Sequence, residues 1–268
     1  MIAILVHALM PSPGATMNTE DFDSLLVKTF GFPVVASSYF IILYLHICIV
    51  VRYFGARSSL EPKKIGLRFG AAFALIYFMG MQEVVVEGSP FSSWGADFVM
   101  YQLFMGLGDA VPALLLCAII AVFILEKKQG ENKQPLRRMK HNVLIIGAIA
   151  AAFFTSRMLG YMIGYIGSDM KRYPIPVMLW TIIFGLVLGI SYILLRPIYD
   201  HETSVSDWNI TVMTLGINWI IFNSFIGMIL AGTMIQMLIR SGVDVAAVYL
   251  VTLFLEKRVR VNKEETVS

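Results

Sequence analysis

Five ionisable side chains stand inside apolar stretches of this sequence: Glu83, Asp109, Arg157, Arg240 and Asp244. Such groups are expensive in a membrane segment and mark ion paths, proton relays or paired networks. Arg240 and Asp244 are four residues apart, so on a helix they share one face. Asp109 lies in the segment Gly106-Leu-Gly-Asp-Ala-Val-Pro112, whose glycines and proline loosen a helix and expose backbone carbonyls. With three carboxyls against two guanidinium groups, the set can largely neutralise itself, leaving one carboxyl able to hold a proton. That chemistry is ion or proton passage, or a structural ion-pair network that fixes helix register.

Other chemistry is poorly supported. The four histidines, His7, His46, His141 and His201, show no metal-ligand spacing. Neither a nucleophile elbow nor a zinc-protease motif is present. Asp109 and Asp244 form the sole candidate aspartate pair for intramembrane proteolysis, and neither has flanking residues that suit that role. Cys48 and Cys117 both lie in apolar runs, which argues against a disulfide framework. The sixteen methionines read as adaptable packing.

The elements that must position the charges follow from composition. The chain has 268 residues, 57% of them hydrophobic and 15% charged, with a mean hydropathy of +0.74. Soluble domains carry about 45–50% apolar and about 25% charged residues. A cytosolic enzyme, a nucleic-acid-binding module and a disordered chain are therefore excluded, and the expected partner is the lipid bilayer of a cell or plasma membrane. Five runs reach the roughly 20 residues that span a bilayer: 32–51, 66–86, 98–125, 142–166 and 175–195. A sixth apolar stretch, 209–255, is 47 residues long. Dividing it at Gly227–Gly232 gives two spans of bilayer length, whereas dividing it at Arg240 leaves one too long and one too short. The expected fold is thus all-α, an integral membrane protein of seven transmembrane helices, with Arg240 and Asp244 inside the seventh.

Charge sets the expected orientation. Sixteen Lys and Arg residues fall on one side of this bundle, in the 52–70 and 126–141 connections, at Arg196 and in the tail, against Lys28, Lys171 and Arg172 on the other. The basic side is expected in the cytoplasm, placing the N-terminus outside and the C-terminus inside. Residues 1–30 then form an outer segment, 31–257 the membrane domain and 258–268 a cytoplasmic tail. The apolar run 1–10 is too short to span; it reads as an interfacial segment or a weak signal ending near Ala15. Residues 20–30 are amphipathic and suit an external cap along the membrane surface.

By depth, the five ionisable groups fall between the midplane and the outer surface, with His46 alone in the basic half. This asymmetry predicts a polar cavity open to the outside above a drier plug. Small residues at helical spacing, Gly160 and Gly164, Gly185 and Gly189, Ala148 and Ala152, and Gly70 and Ala74, predict close helix packing. They would serve within the chain, or toward a second copy or another membrane partner.

The last span resembles that of the microbial rhodopsins. Asp244-Val-Ala-Ala-Val248 is similar to the segment in which that family carries an aspartate of the counterion and the retinal-binding lysine. Asn209-Ile-Thr-Val212 resembles the start of the preceding helix, and Pro112 with its leucines fits the third. The resemblance implies a seven-helix opsin-like scaffold with a ligand pocket at Leu215, Asn218, Trp219, Phe222 and Val248. It also shows departures. Val248 stands where the lysine would be and excludes covalent retinal, leaving a noncovalent retinoid as the cofactor implied. The positions of the counterion, the proton donor and the third-helix arginine fall on Gly106, Cys117 and Leu103.

Four functions follow, in order of support. The first is ion or proton translocation along the buried charges. The second is a ligand-binding sensor or accessory subunit. The third is a component of a small-solute transporter, against which stands the absence of an inverted repeat. A membrane enzyme comes last.

Overall fold

The computed structural model describes residues 22–86, 95–126, 139–199 and 208–265. The run 1–10, the position near Ala15 and most of the basic 126–141 connection lie outside them. The described chain is helical, without a strand, and seven of its helices are long and apolar enough to cross a membrane.

The elements are α1 (Leu25–Phe30), α2 (Phe32–Arg57), α3 (Pro62–Gly80), α4 (Glu83–Val86), α5 (Gly95–Phe123), α6 (Met139–Met162), α7 (Pro174–Tyr199), α8 (Asn209–Gly216), α9 (Ile217–Ile229) and α10 (Met234–Glu265). Neighbours round the bundle run α2, α5, α3, α7, α6, α10, α9 and back to α2, so chain order and spatial order differ. Arg52, Arg57, Lys63, Lys64 and Arg68 gather at one end, called the basic end below.

Several boundaries depart from the sequence expectation. The second span is not one helix: α3 stops at Gly80, the Gln82 N–H bonds the Met79 carbonyl three residues back, and Glu83 opens the short α4. Gly80 has no side chain because the Trp219 and Phe222 rings stand where one would be, 2.9 and 3.1 Å from an ideal Cβ. The fourth span ends at Met162 rather than 166, and Gly164 adopts φ +72° in the turn beyond it. Gly160 and Gly164 therefore do not form a helix face; Gly160 instead receives the Ile166 side chain. The fifth span continues through Arg196 to Tyr199, and Arg196 is buried rather than in a loop. The seventh span continues as helix to Glu265, past the boundary expected at 257.

The division at Gly227–Gly232 is where the chain turns. α9 ends at Ile229, Leu230 is extended, and Gly232 takes φ +76°, which L-residues rarely adopt. The N-terminal segment caps this turn. Ser24 donates its hydroxyl to the Met228 carbonyl at 2.6 Å and its N–H to Ile229, while Asp23 Oδ1 accepts the Ala231 N–H at 2.8 Å. The two Ser24 bonds satisfy carbonyls that a helix C-terminus leaves without partners. Phe22 stacks on Phe32 at 4.8 Å and closes the cap.

Close helix approach is spent within the chain. A Cβ on Gly189 would stand 2.8 Å from the Ile146 Cα, and one on Gly185 2.9 Å from the Ala150 Cα, so α7 meets α6 backbone to backbone. Gly70 meets the Leu114 backbone of α5 in the same way. Gly189→Val forces backbone apart and is expected to destabilise the protein by about 1–3 kcal/mol. Gly147→Val, where nothing stands within 4 Å, is the control that should leave the melting temperature in detergent unchanged.

Candidate functional site

Four of the five ionisable groups converge. Arg157 of α6 donates Nε and Nη2 to the two carboxylate oxygens of Asp244 on α10, at 2.8 and 2.6 Å. Its Nη1 donates to Glu83 Oε1. Arg240 reaches the other Glu83 oxygen at 3.6 Å and donates to Asn223 Oδ1 at 2.7 Å. Arg240 and Asp244 thus share a helix face, but Asp244 pairs across the bundle with Arg157. A guanidinium fork matches a carboxylate with two parallel bonds, which outweighs the looser i,i+4 geometry along one helix.

The surroundings complete this cluster. Trp219 Nε1 donates to Asp244 Oδ2 at 3.2 Å, and the Asn223 amide donates to the Trp219 carbonyl. Arg157 lies 5.1 Å from the Phe153 ring centroid and 5.7 Å from that of Trp180. Glu83, Arg157, Arg240 and Asp244 are each at most 4% exposed, and their formal charges cancel. The expected cavity open to the outside is not what these groups form: they close on one another. The two cavities described among these residues lie at the basic end instead.

Asp109 stands apart, at 1% exposure, on α5. Tyr39, Tyr44 and Tyr77 lie close enough to interact with it electrostatically, and the Tyr44 hydroxyl donates to its carbonyl at 3.3 Å. Polar groups, buried except for the half-buried His46, continue in both directions. Toward the far end, Gln102 lies two turns along the same α5 face, and Gln82 Nε2 donates to the Gln102 carbonyl at 3.0 Å. Toward the basic end, Tyr77 and Asn218 are adjacent, and Asn218 Nδ2 donates to His46 Nδ1 at 3.2 Å. His46 Nε2 donates to the Met213 carbonyl at 3.0 Å. A carbonyl can only accept, so His46 Nε2 carries a proton.

That carbonyl is available because of α8. Residues Asn209–Gly216 form a π-helix, whose bonds reach back five residues; the Ile217 N–H still bonds Val212. Returning to four-residue bonding in α9 skips one carbonyl, and His46 serves Met213 there. Gly216 is where a Cβ would collide with the Thr211 carbonyl, 2.6 Å away, and with Val245. Thr214 extends the polar file: its hydroxyl lies 2.5 Å from the Tyr199 hydroxyl and donates to the Asn209 carbonyl at 2.7 Å.

The residues of the retinoid pocket implied by the rhodopsin resemblance are all buried, but they pack as core. Trp219 and Phe222 stack at 5.6 Å, Phe222 stacks on Tyr77 at 5.3 Å, and Leu215 and Val248 join the same apolar cluster. Asn218 belongs to the polar file and Trp219 to the ion cluster. Sequence reasoning missed Gln82, Gln102, Asn223 and the tyrosines as members of these assemblies. Their signal was a polar group recurring inside an apolar run without a formal charge.

Compared with models of protein families, with curated proteins and with solved structures, the chain matches none.

Arg157→Met strands Asp244 without its bidentate partner, and breaking such a buried pair costs about 3–5 kcal/mol. The double variant Arg157→Met, Asp244→Leu removes both charges and is expected to regain part of that loss. Thermal unfolding of the purified variants measures both; equal instability of the single and double variants would contradict the pairing.

Proposed function

We propose that the protein conducts protons across a membrane, with its basic end in the cytoplasm and its N-terminus outside. The observation that carries this reading is the file of polar groups, buried except for the half-buried Tyr44 and His46. It runs from Gln82 and Gln102 past Asp109, Tyr44 and Tyr77 to Asn218, His46, Thr214 and Tyr199. Carboxyl, phenol and imidazole groups can each pass a proton on, and intramembrane relays are built from such side chains. α2 and α5 run in the same direction, and Gly55 of α2 meets Leu125, two residues beyond the end of α5. His46 is therefore about two turns, or roughly 10 Å, nearer the basic end than Asp109. The sequence pointed to the lack of an acidic group in that half; the His46 imidazole supplies a titratable group there.

The ion cluster plays a different part. Its charges are already matched, so it holds α4, α6, α9 and α10 together rather than carrying current. The orientation rests on the distribution of Lys and Arg.

Reconstitution into liposomes loaded with a pH-sensitive dye tests the reading. The protein is expected to collapse an imposed proton gradient when potassium and valinomycin balance the charge. Asp109→Asn and His46→Phe are expected to slow the collapse to the leak of protein-free vesicles while keeping the wild-type melting temperature. Collapse at the wild-type rate in both variants contradicts the assignment.

A further inference from the structure

We propose that the basic end holds an anionic glycerophospholipid in a slot between α3 and α5. The slot has a volume of about 160 Å³ and is walled by Gly66 and Leu67 on α3 and by Leu114, Ala118 and Val122 on α5, with Lys63 at its mouth. It exists because Gly66, Ala118 and Ala121 leave little side chain between two helices that touch: a Cβ on Gly66 would come within 2.5 Å of the Ala121 Cβ. Leu67, Leu114 and Val122 are exposed on the apolar outer surface of the bundle, so the slot opens where acyl chains would lie. Its lining is apolar nearly throughout, which suits a hydrocarbon chain and no polar solute.

Charge selects the headgroup. Three neighbouring cations at this end are engaged: Lys64 pairs with Glu61 at 3.5 Å, Arg68 donates to the Leu194 carbonyl at 2.9 Å, and Arg57 covers the Tyr53 ring at 3.6 Å; Arg52, on α2, lines the other cavity. Lys63 is exposed and makes no ion pair with a described residue. It stands on the first turn of α3, where the helix dipole adds positive potential. An ammonium above an apolar slot at the membrane surface complements a phosphodiester above an acyl chain, the pattern of basic interhelical lipid sites. This inference does not depend on proton conduction.

Native mass spectrometry of the purified protein with dioleoylphosphatidylglycerol or dioleoylphosphatidylcholine tests it. The wild type is expected to retain phosphatidylglycerol in preference to phosphatidylcholine. Lys63→Gln is expected to weaken phosphatidylglycerol binding about fivefold, the worth of one surface cation, and to leave phosphatidylcholine unchanged. Ala118→Phe fills the slot from its exposed side and is expected to weaken both lipids; Ala118→Leu serves if the larger ring prevents folding. Glycerol 1-phosphate at matched concentration is expected not to compete. Equal retention of the two lipids by the wild type overturns the proposal. So does unchanged phosphatidylglycerol binding in Lys63→Gln or in the folded slot variant, and so does full competition by glycerol 1-phosphate.

Discussion

The bundle depends on one guanidinium group. Arg157 is fully buried and touches two carboxylates, one from α10 and one from α4. Removing an isolated charge from water costs more than a domain can spare, so each member of the set is tolerable only in the company of the others. Much of the surrounding geometry follows from that requirement. The second span must break after Gly80 for Glu83 to turn inward. α10 must keep the rotation that presents Asp244 to α6 while Arg240 reaches Asn223. α9 must place Trp219 and Asn223 on the side facing this cluster. A buried network of this kind adds little net stability over an apolar core of the same shape, but losing one partner strands a buried charge.

α9 separates two kinds of polarity. On one side Trp219 and Asn223 join matched charges that have no reason to move. On the other Asn218 joins the His46 imidazole and the polar groups that follow along the bundle. The π-helical turn of α8 supplies a carbonyl outside the regular ladder, and the His46 imidazole bonds to it. Buried polar groups serve opposite purposes in the two assemblies. Where formal charges cancel, the groups hold one another in place; where hydrogen-bonding groups line up along the bundle, they form the file proposed above as a proton route.

Much of the fold was legible because bilayer length is a strict ruler. Runs of about 20 apolar residues, and a glycine-bearing interruption at 227–232, located all seven helices. The ionisable residues were legible because they are costly. Their partners were not, because pairing is decided across the bundle: spacing joins Arg240 to Asp244, whereas the fold joins Asp244 to Arg157. The break at Met81–Gln82 carries no proline or glycine pair to announce it, and π-helical bonding leaves no compositional mark. Gln82, Gln102 and Asn218 were overlooked as a file because an uncharged amide in an apolar run costs less than a charge. The glycine pairs were read correctly as close-approach faces on α7, where α6 lies against them, and incorrectly at Gly160 and Gly164, where the helix had already ended.

The central claim is that the file of polar groups, and not the matched charges, connects the two sides for protons. The most direct measurement is the reversal potential of the wild-type current in a planar bilayer under a pH gradient with symmetrical salt. A proton route through Asp109 and His46 predicts a shift of about 59 mV for each pH unit, the value for a single transferred charge. A reversal potential that stays at zero under the pH gradient and moves with the salt gradient instead would contradict the account.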